Sequence, residues 1–109
     1  MFDARPVALA GTSFDAMLQR TDLPVVVDFW APWCGPCRSF APTYEQACAR
    51  LEPRARLAKL DTEAEPAIAQ RHAIRSIPTL AIFRGGQEVA RTSGALPLAD
   101  LLRLVEPHL

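Results

Sequence analysis

The chain is short of the residues that mark several common functions. In 109 residues it has one lysine against eleven arginines, two histidines, one tyrosine, five glycines and three cysteines. Twelve basic residues balance twelve acidic ones, so the formal net charge is zero. Arginines spread along a neutral chain leave no electrostatic footprint for nucleic acid, and a composition half hydrophobic excludes a disordered chain. Three cysteines do not make a secreted disulfide scaffold. No apolar run approaches the roughly 20 residues that a membrane helix needs. Met1-Phe2-Asp3-Ala4-Arg5-Pro6 lacks the apolar core of a signal peptide. There are no repeats, linkers or low-complexity tracts. The expectation is one globular domain over residues 1–109, large enough for a core without staples, in the cytoplasm, with no membrane or nucleic-acid partner.

What is present concentrates in one stretch, Phe29-Trp30-Ala31-Pro32-Trp33-Cys34-Gly35-Pro36-Cys37-Arg38-Ser39-Phe40-Ala41-Pro42. Before the cysteines, Val25 to Trp30 is β-branched and aromatic without polar alternation, which predicts a buried strand. After them, Phe40, Tyr44, Ala47, Cys48 and Leu51 fall near one face of a helix over 38–51, bent where Pro42 removes a hydrogen bond. The pair therefore sits where a strand ends and a helix begins. Residues three apart on a helix have Cβ atoms about 5–6 Å apart, near enough for a disulfide after a modest adjustment. The free N–H groups of a helix start favour negative charge and so stabilise a thiolate. Cys34, coming first, is expected to be the exposed sulfur and Cys37 the covered one, the arrangement that dithiol–disulfide exchange requires. The competing readings are half a zinc site and two inert core thiols. A zinc site needs four ligands, and Cys48, His72 and His108 show no partner spacing.

Asp28 is the one polar residue in the strand. If the strand had already ended it would be a solvated loop residue, but Phe29 and Trp30 continue the apolar run and favour burial. Burial disfavours a carboxylate and raises its pKa, making a proton carrier usable near neutrality. Lys59, the single lysine, invites a specific role, though drift toward arginine explains its scarcity equally well. Pro78 by itself reads as trans, since only about 5–6% of X–Pro bonds in folded proteins are cis. Cys48 reads as a small core hydrophobe, and His72 and His108 as surface residues.

Elsewhere, Val7-Ala8-Leu9 predicts a short strand. Thr12 is the expected N-cap of a first helix, with Asp15 as its capping-box partner and Phe14, Met17 and Leu18 on its apolar face. Residues 55–61 read as a strand and 64–72 as a helix with Ile68 inward. Strands over 79–84 and 88–92 join through Gly85-Gly86, a hairpin signal. Pro97 opens a last helix whose stripe is Leu98, Leu101, Leu102 and Val105. The order βαβαβαββα implies an α/β fold, a mixed central sheet with helices on both faces.

These residues together resemble the thioredoxin family. Trp33-Cys34-Gly35-Pro36-Cys37 matches its active-site signature and Ile77-Pro78-Thr79 its cis-proline loop. Asp28, Lys59, Pro42 and Ser93-Gly94-Ala95 stand where the family has a buried acid, its lysine neighbour, a helix-kinking proline and the glycine of the docking surface. Phe29 to Pro42, Thr62-Glu63-Ala64-Glu65 and Ile74 to Thr79 look like the bacterial thioredoxin 2 branch, without that branch's N-terminal zinc module. The resemblance implies a thioredoxin fold and a monomeric reductase of protein disulfides, with Cys34 and Cys37 as the redox-active disulfide. It implies that Asp28, moderated by Lys59, serves Cys37 as proton carrier through water. It implies a substrate surface of Trp33, Gly35, Pro36, Ile77, Pro78, Gly94 and Ala95, with Pro78 cis. It further implies no cofactor or metal in the chain and an NADPH-dependent thioredoxin reductase as electron donor. Two rivals are an oxidase or isomerase of an export compartment, disfavoured by the uncharged Gly35-Pro36 insert, and a binding protein that needs no second cysteine.

Overall fold

The computed structural model describes residues 5–109; the reading of the N-terminal stretch as no signal peptide falls mostly on residues 1–4, outside the described residues. The elements are β1 (Val7–Leu9), α1 (Gly11–Arg20), β2 (Val25–Trp30), α2 (Gly35–Leu51), β3 (Arg56–Asp61), α3 (Pro66–Arg71), β4 (Thr79–Arg84), β5 (Gln87–Ser93), α4 (Leu98–Val105) and a closing 3-10 turn, Glu106–His108. The sheet order is β1-β3-β2-β4-β5. β3 pairs parallel with β1 and β2, while β4 pairs antiparallel with β2 and β5. β2 thus lies at the centre, paired on both edges and covered on both faces, which is why its sequence is apolar almost without alternation.

Strand periodicity then sorts the side chains into two layers. Val26, Leu57, Leu80 and Ile82 face α2 and α4, meeting Phe40, Tyr44, Ala47, Cys48, Leu51, Leu101 and Val105. Val25, Val27, Phe29, Ala58, Leu60, Ala81 and Phe83 face the other way, against Phe14 and Leu18 of α1 and Ile68 of α3. Asp28 and Lys59 share the parity of Val26 and Leu57, so they point to the α2 side and sit opposite each other in register. Gly85 and Gly86, at φ 60° and 82°, form the β4–β5 turn as expected, the left-handed backbone being open to glycine at little cost.

Several local expectations change. α1 begins at Gly11 with Ala10 as its N-cap. Thr12 does not cap it; the Ala10 N–H donates to Ser13 Oγ at 2.9 Å instead, while Asp15 is held by Arg71 at 3.0 Å. α2 starts at Gly35, not Arg38, because Pro36 is preorganised for a first turn. α3 is shorter than 64–72: Pro66 opens it, and the Asp61 carboxylate holds the preceding turn by accepting from Glu63 and Ala64 N–H at 2.9 and 3.3 Å. His72 is not a simple surface residue. Its ring packs at 5.2–6.2 Å from the rings of Phe14, Phe83 and Phe29. Ile77–Pro78 is cis, as the resemblance implied, and Glu52–Pro53 is cis as well.

Candidate active site

β2 ends at Trp30, the chain turns through Ala31 to Trp33, and α2 begins at Gly35. Cys34 is the N-cap of α2. Its sulfur takes the place usually held by a serine or aspartate oxygen, accepting the Cys37 N–H at 3.2 Å. A helix start with free N–H groups thus points at Cys34, and a proton-free sulfur there gains a donor and the favourable end of the helix dipole. The Cys34 and Cys37 sulfurs are 2.30 Å apart, at disulfide distance, with Cα atoms 5.2 Å apart. Both cysteines are covered, at 4% and 3% exposure. The expected contrast of an exposed Cys34 and a buried Cys37 is therefore absent when they are joined, since each sulfur shields the other and Ala31, Trp30 and Ile77 pack around both.

Of the residues expected at the substrate surface, Ile77 packs against the pair. Trp33 is the most exposed large apolar residue described, at 66%, and the Arg38 guanidinium holds its loop by donating to Pro32 O at 3.0 Å. Gly35 is half-buried and Pro36 exposed in the first turn of α2. The Ile77 carbonyl lies 3.8 Å from Cys34 Sγ. Pro78 is buried, and its carbonyl accepts the Gly94 N–H at 2.8 Å. Gly94 has φ +95°, which other residues adopt only with strain, and a Cβ there would meet nothing within 4 Å. Gly94 and Ala95 thus form an open, exposed rim beside Pro78. Sequence reasoning missed the polar ladder under that rim. Thr79 Oγ1 donates to Ser76 O at 2.6 Å and lies 3.1 Å from Ser93 Oγ, tying the proline loop to β5. Two hydroxyls facing each other in the Thr79–Ser93 register pair were the available signal.

On the α2 side of β2 lies Asp28, 4% exposed, with Oδ1 buried and unpartnered. Desolvation outweighs the Lys59 charge and pushes its pKa from 3.8 up to about 7. Lys59 opposes that shift from the neighbouring strand, but its ammonium rests 4.2 Å over the Trp30 ring, a cation–π position. Tyr44 also belongs to this layer. Its hydroxyl lies 2.9 Å from Val26 O and 2.7 Å from Ala58 O, and burial together with the Asp28 charge raises its pKa well above the usual value. It stays a neutral hydroxyl that fastens α2 to β2 and β3. Periodicity placed Tyr44 on the inward stripe of α2, but its two carbonyl partners come from strands distant in sequence. Cys48 is buried as expected, its thiol 2.8 Å from Glu52 Oε2. His108 is half-buried near the end of the chain. Among the described residues no group of three or more His, Cys, Asp or Glu side chains could hold a metal ion, and no helix is long and apolar enough to cross a membrane.

Chemically, the arrangement offers two sulfurs that can exchange a disulfide, a helix start that favours charge on one, a carboxyl that titrates near neutrality, and an open backbone rim alongside. A family model described as Thioredoxin matches residues 5–107. The chain is 44% identical over 98 residues to Thioredoxin 1 of Nostoc sp., covering 90% of this chain and 92% of that one. It is 44% identical over 101 residues to a thioredoxin of Synechocystis sp., covering 93% and 94%. A solved structure of a mutant thioredoxin from Halobacterium salinarum superposes with a TM-score of 0.87 at 31% identity, over 96% of this chain and 91% of that one.

Proposed function

This chain belongs to the thioredoxin family, and from that premise we propose that it is a cytoplasmic, monomeric reductase of protein disulfides. The family and the Cys34–Cys37 pair make it a thiol–disulfide oxidoreductase with a thioredoxin fold; the direction, the substrate class and the steps are our reading. The observation that carries it is Cys34 Sγ accepting the Cys37 N–H at the start of α2, with Asp28 titrating at about 7 on the strand face that meets α2.

In the proposed cycle the Cys34 thiolate attacks one sulfur of a substrate disulfide. A Cys34–substrate disulfide forms, and the substrate's other sulfur leaves as a thiolate and takes a proton. The Asp28 carboxylate accepts the Cys37 proton through water. The Cys37 thiolate then attacks Cys34, releasing the second substrate sulfur and closing Cys34–Cys37. Two electrons have passed to the substrate, and an NADPH-dependent thioredoxin reductase returns them. Lys59 moderates Asp28 from the adjacent strand. Trp33, Gly35, Pro36, Ile77, Pro78, Gly94 and Ala95 receive the substrate segment, which extends along the rim and pairs with exposed backbone. The whole chain acts as one domain.

The test is insulin reduction followed by turbidity, with NADPH and thioredoxin reductase as the electron source and, separately, with dithiothreitol. Precipitation of the insulin B chain in both is expected. Absence of reduction by the dithiothreitol-reduced protein would reject the reading.

A further inference from the structure

The helix before the proline loop ends in an unusual way. At the end of α3 the Ala73 N–H donates to Gln70 O at 3.0 Å and the Ile74 N–H to Ala69 O at 2.9 Å. That double bond pattern is the Schellman ending, whose turning residue is left-handed and usually glycine. Here the turning residue is Ala73, at φ 54°. An L-residue in that conformation costs on the order of 1 kcal/mol and persists only where its surroundings hold it.

The surroundings that hold it come from the far edge of the sheet. Arg91, on β5, donates from Nη2 to His72 O at 2.6 Å and from Nη1 to Ala73 O at 3.3 Å. These are the two carbonyls at the turn, at the negative end of the α3 dipole, where a cation is favoured. The guanidinium is aimed by Glu88, which accepts from Nε at 2.9 Å and from Nη2 at 2.7 Å. Such a two-point carboxylate fork fixes the plane of the group as well as its position. The other end of the same loop is fastened by Thr79 to Ser76 and by Gly94 to Pro78. Only residues 74 and 75 lie between the two anchorages, and Ile74 packs partly into the core.

We infer that Arg91, oriented by Glu88, is a positioning residue for substrate docking: it holds the Ala73 turn and so sets where the Ile77 backbone stands beside Cys34. The inference rests on the protein-disulfide reading above. It assigns Arg91 no contact with substrate and no part in the sulfur chemistry. Releasing the turn lets the loop sample other conformers, and the apparent affinity for an extended substrate falls by the fraction of time spent in them.

The experiment uses dithiothreitol-reduced protein and two oxidants: insulin, which must dock, and hydroxyethyl disulfide, which needs no docking. Arg91→Ala is expected to raise KM for insulin roughly three- to tenfold with kcat little changed, and to leave the rate with hydroxyethyl disulfide within about twofold. Because glycine adopts the left-handed turn unaided, Ala73→Gly added to Arg91→Ala is expected to recover most of the lost KM. If wild-type protein fails to reduce insulin, the reductase reading falls. If wild type reduces insulin and Arg91→Ala keeps its KM, even with a lowered melting temperature, Arg91 is structural only and the inference is overturned. An Arg91→Ala defect that Ala73→Gly leaves untouched, or an equal loss with both oxidants, overturns it too.

Discussion

On the α1/α3 side of the sheet, Val25, Val27 and Phe29 meet Phe14, Phe83 and the His72 ring. One residue along the same strand, on the α2/α4 side, Val26 lies under Tyr44 and Asp28 points toward the helix that carries Cys37. Among the described residues the first layer has no buried carboxyl, and it stabilises by apolar burial and ring contacts. The second holds a desolvated carboxyl titrating at about 7, which lowers stability wherever it is charged. One strand thus supplies rigidity to one side and a carboxyl titrating near neutrality to the other, with the pleat keeping the two apart.

The sharpest way to break this division is at the sulfurs. Cys34→Ser is expected to abolish insulin reduction outright, and Cys37→Ser to accumulate Cys34–substrate disulfides visible by mass spectrometry. Faster labelling of Cys37 than of Cys34 by iodoacetamide at neutral pH would reverse the assignment. On the opposite layer, Phe14 is fully buried, and Phe14→Ala is expected to lower unfolding stability by about 3–5 kcal/mol. The rate with hydroxyethyl disulfide, measured where the variant is still folded, stays at the wild-type value if the layers are independent.

Asp28 gives the next effect, in both activity and stability. Asp28→Asn is expected to slow insulin turnover by about a hundredfold or more, as for a lost proton-transfer group. In the wild type, the folded carboxyl binds its proton more tightly than the unfolded one, from 3.8 to about 7. The stability this confers is full below the unfolded value and is lost as pH rises through the folded one, on the order of 4 kcal/mol in total. His72 acts in the opposite sense, because burial and the Arg71 charge lower its pKa; its contribution is lost as pH falls below 6.5. The difference between wild type and Asp28→Asn, in guanidinium titrations from pH 4 to 8, cancels the histidine. A difference that does not grow with pH would remove Asp28 from the buried, raised state.

Smaller effects follow. With an uncharged Gly35-Pro36 insert, the oxidised protein is expected to outlast the reduced one in guanidinium by a few kcal/mol at most, given so short a loop. A higher midpoint for the reduced form would favour an oxidase. The least change is expected from Lys59→Gln, which removes the one charge holding the Asp28 carboxyl down. The Asp28-dependent limb of the pH–rate profile moves up by a fraction of a unit, and a downward move would exclude Lys59 as its partner.

The central strand, the strand-to-helix position of the cysteines, the burial of Asp28 and the β4–β5 hairpin were all legible in the sequence, because local periodicity, turn chemistry and proline determine them over a few residues. Cis Pro78 was legible only through resemblance, since nothing local distinguishes that proline. Tertiary structure alone decided the rest. Cys34 is covered because its own partner and Ile77 shield it. Lys59 stands over Trp30 because parallel pairing sets β3 beside β2. His72 leaves the surface because three phenylalanines from α1, β2 and β4 converge where α3 ends. Arg91 reaches the His72 and Ala73 carbonyls across 18 residues of chain or more. A sequence pattern records which face a residue takes along its own element; which element waits on that face is settled only when the chain packs.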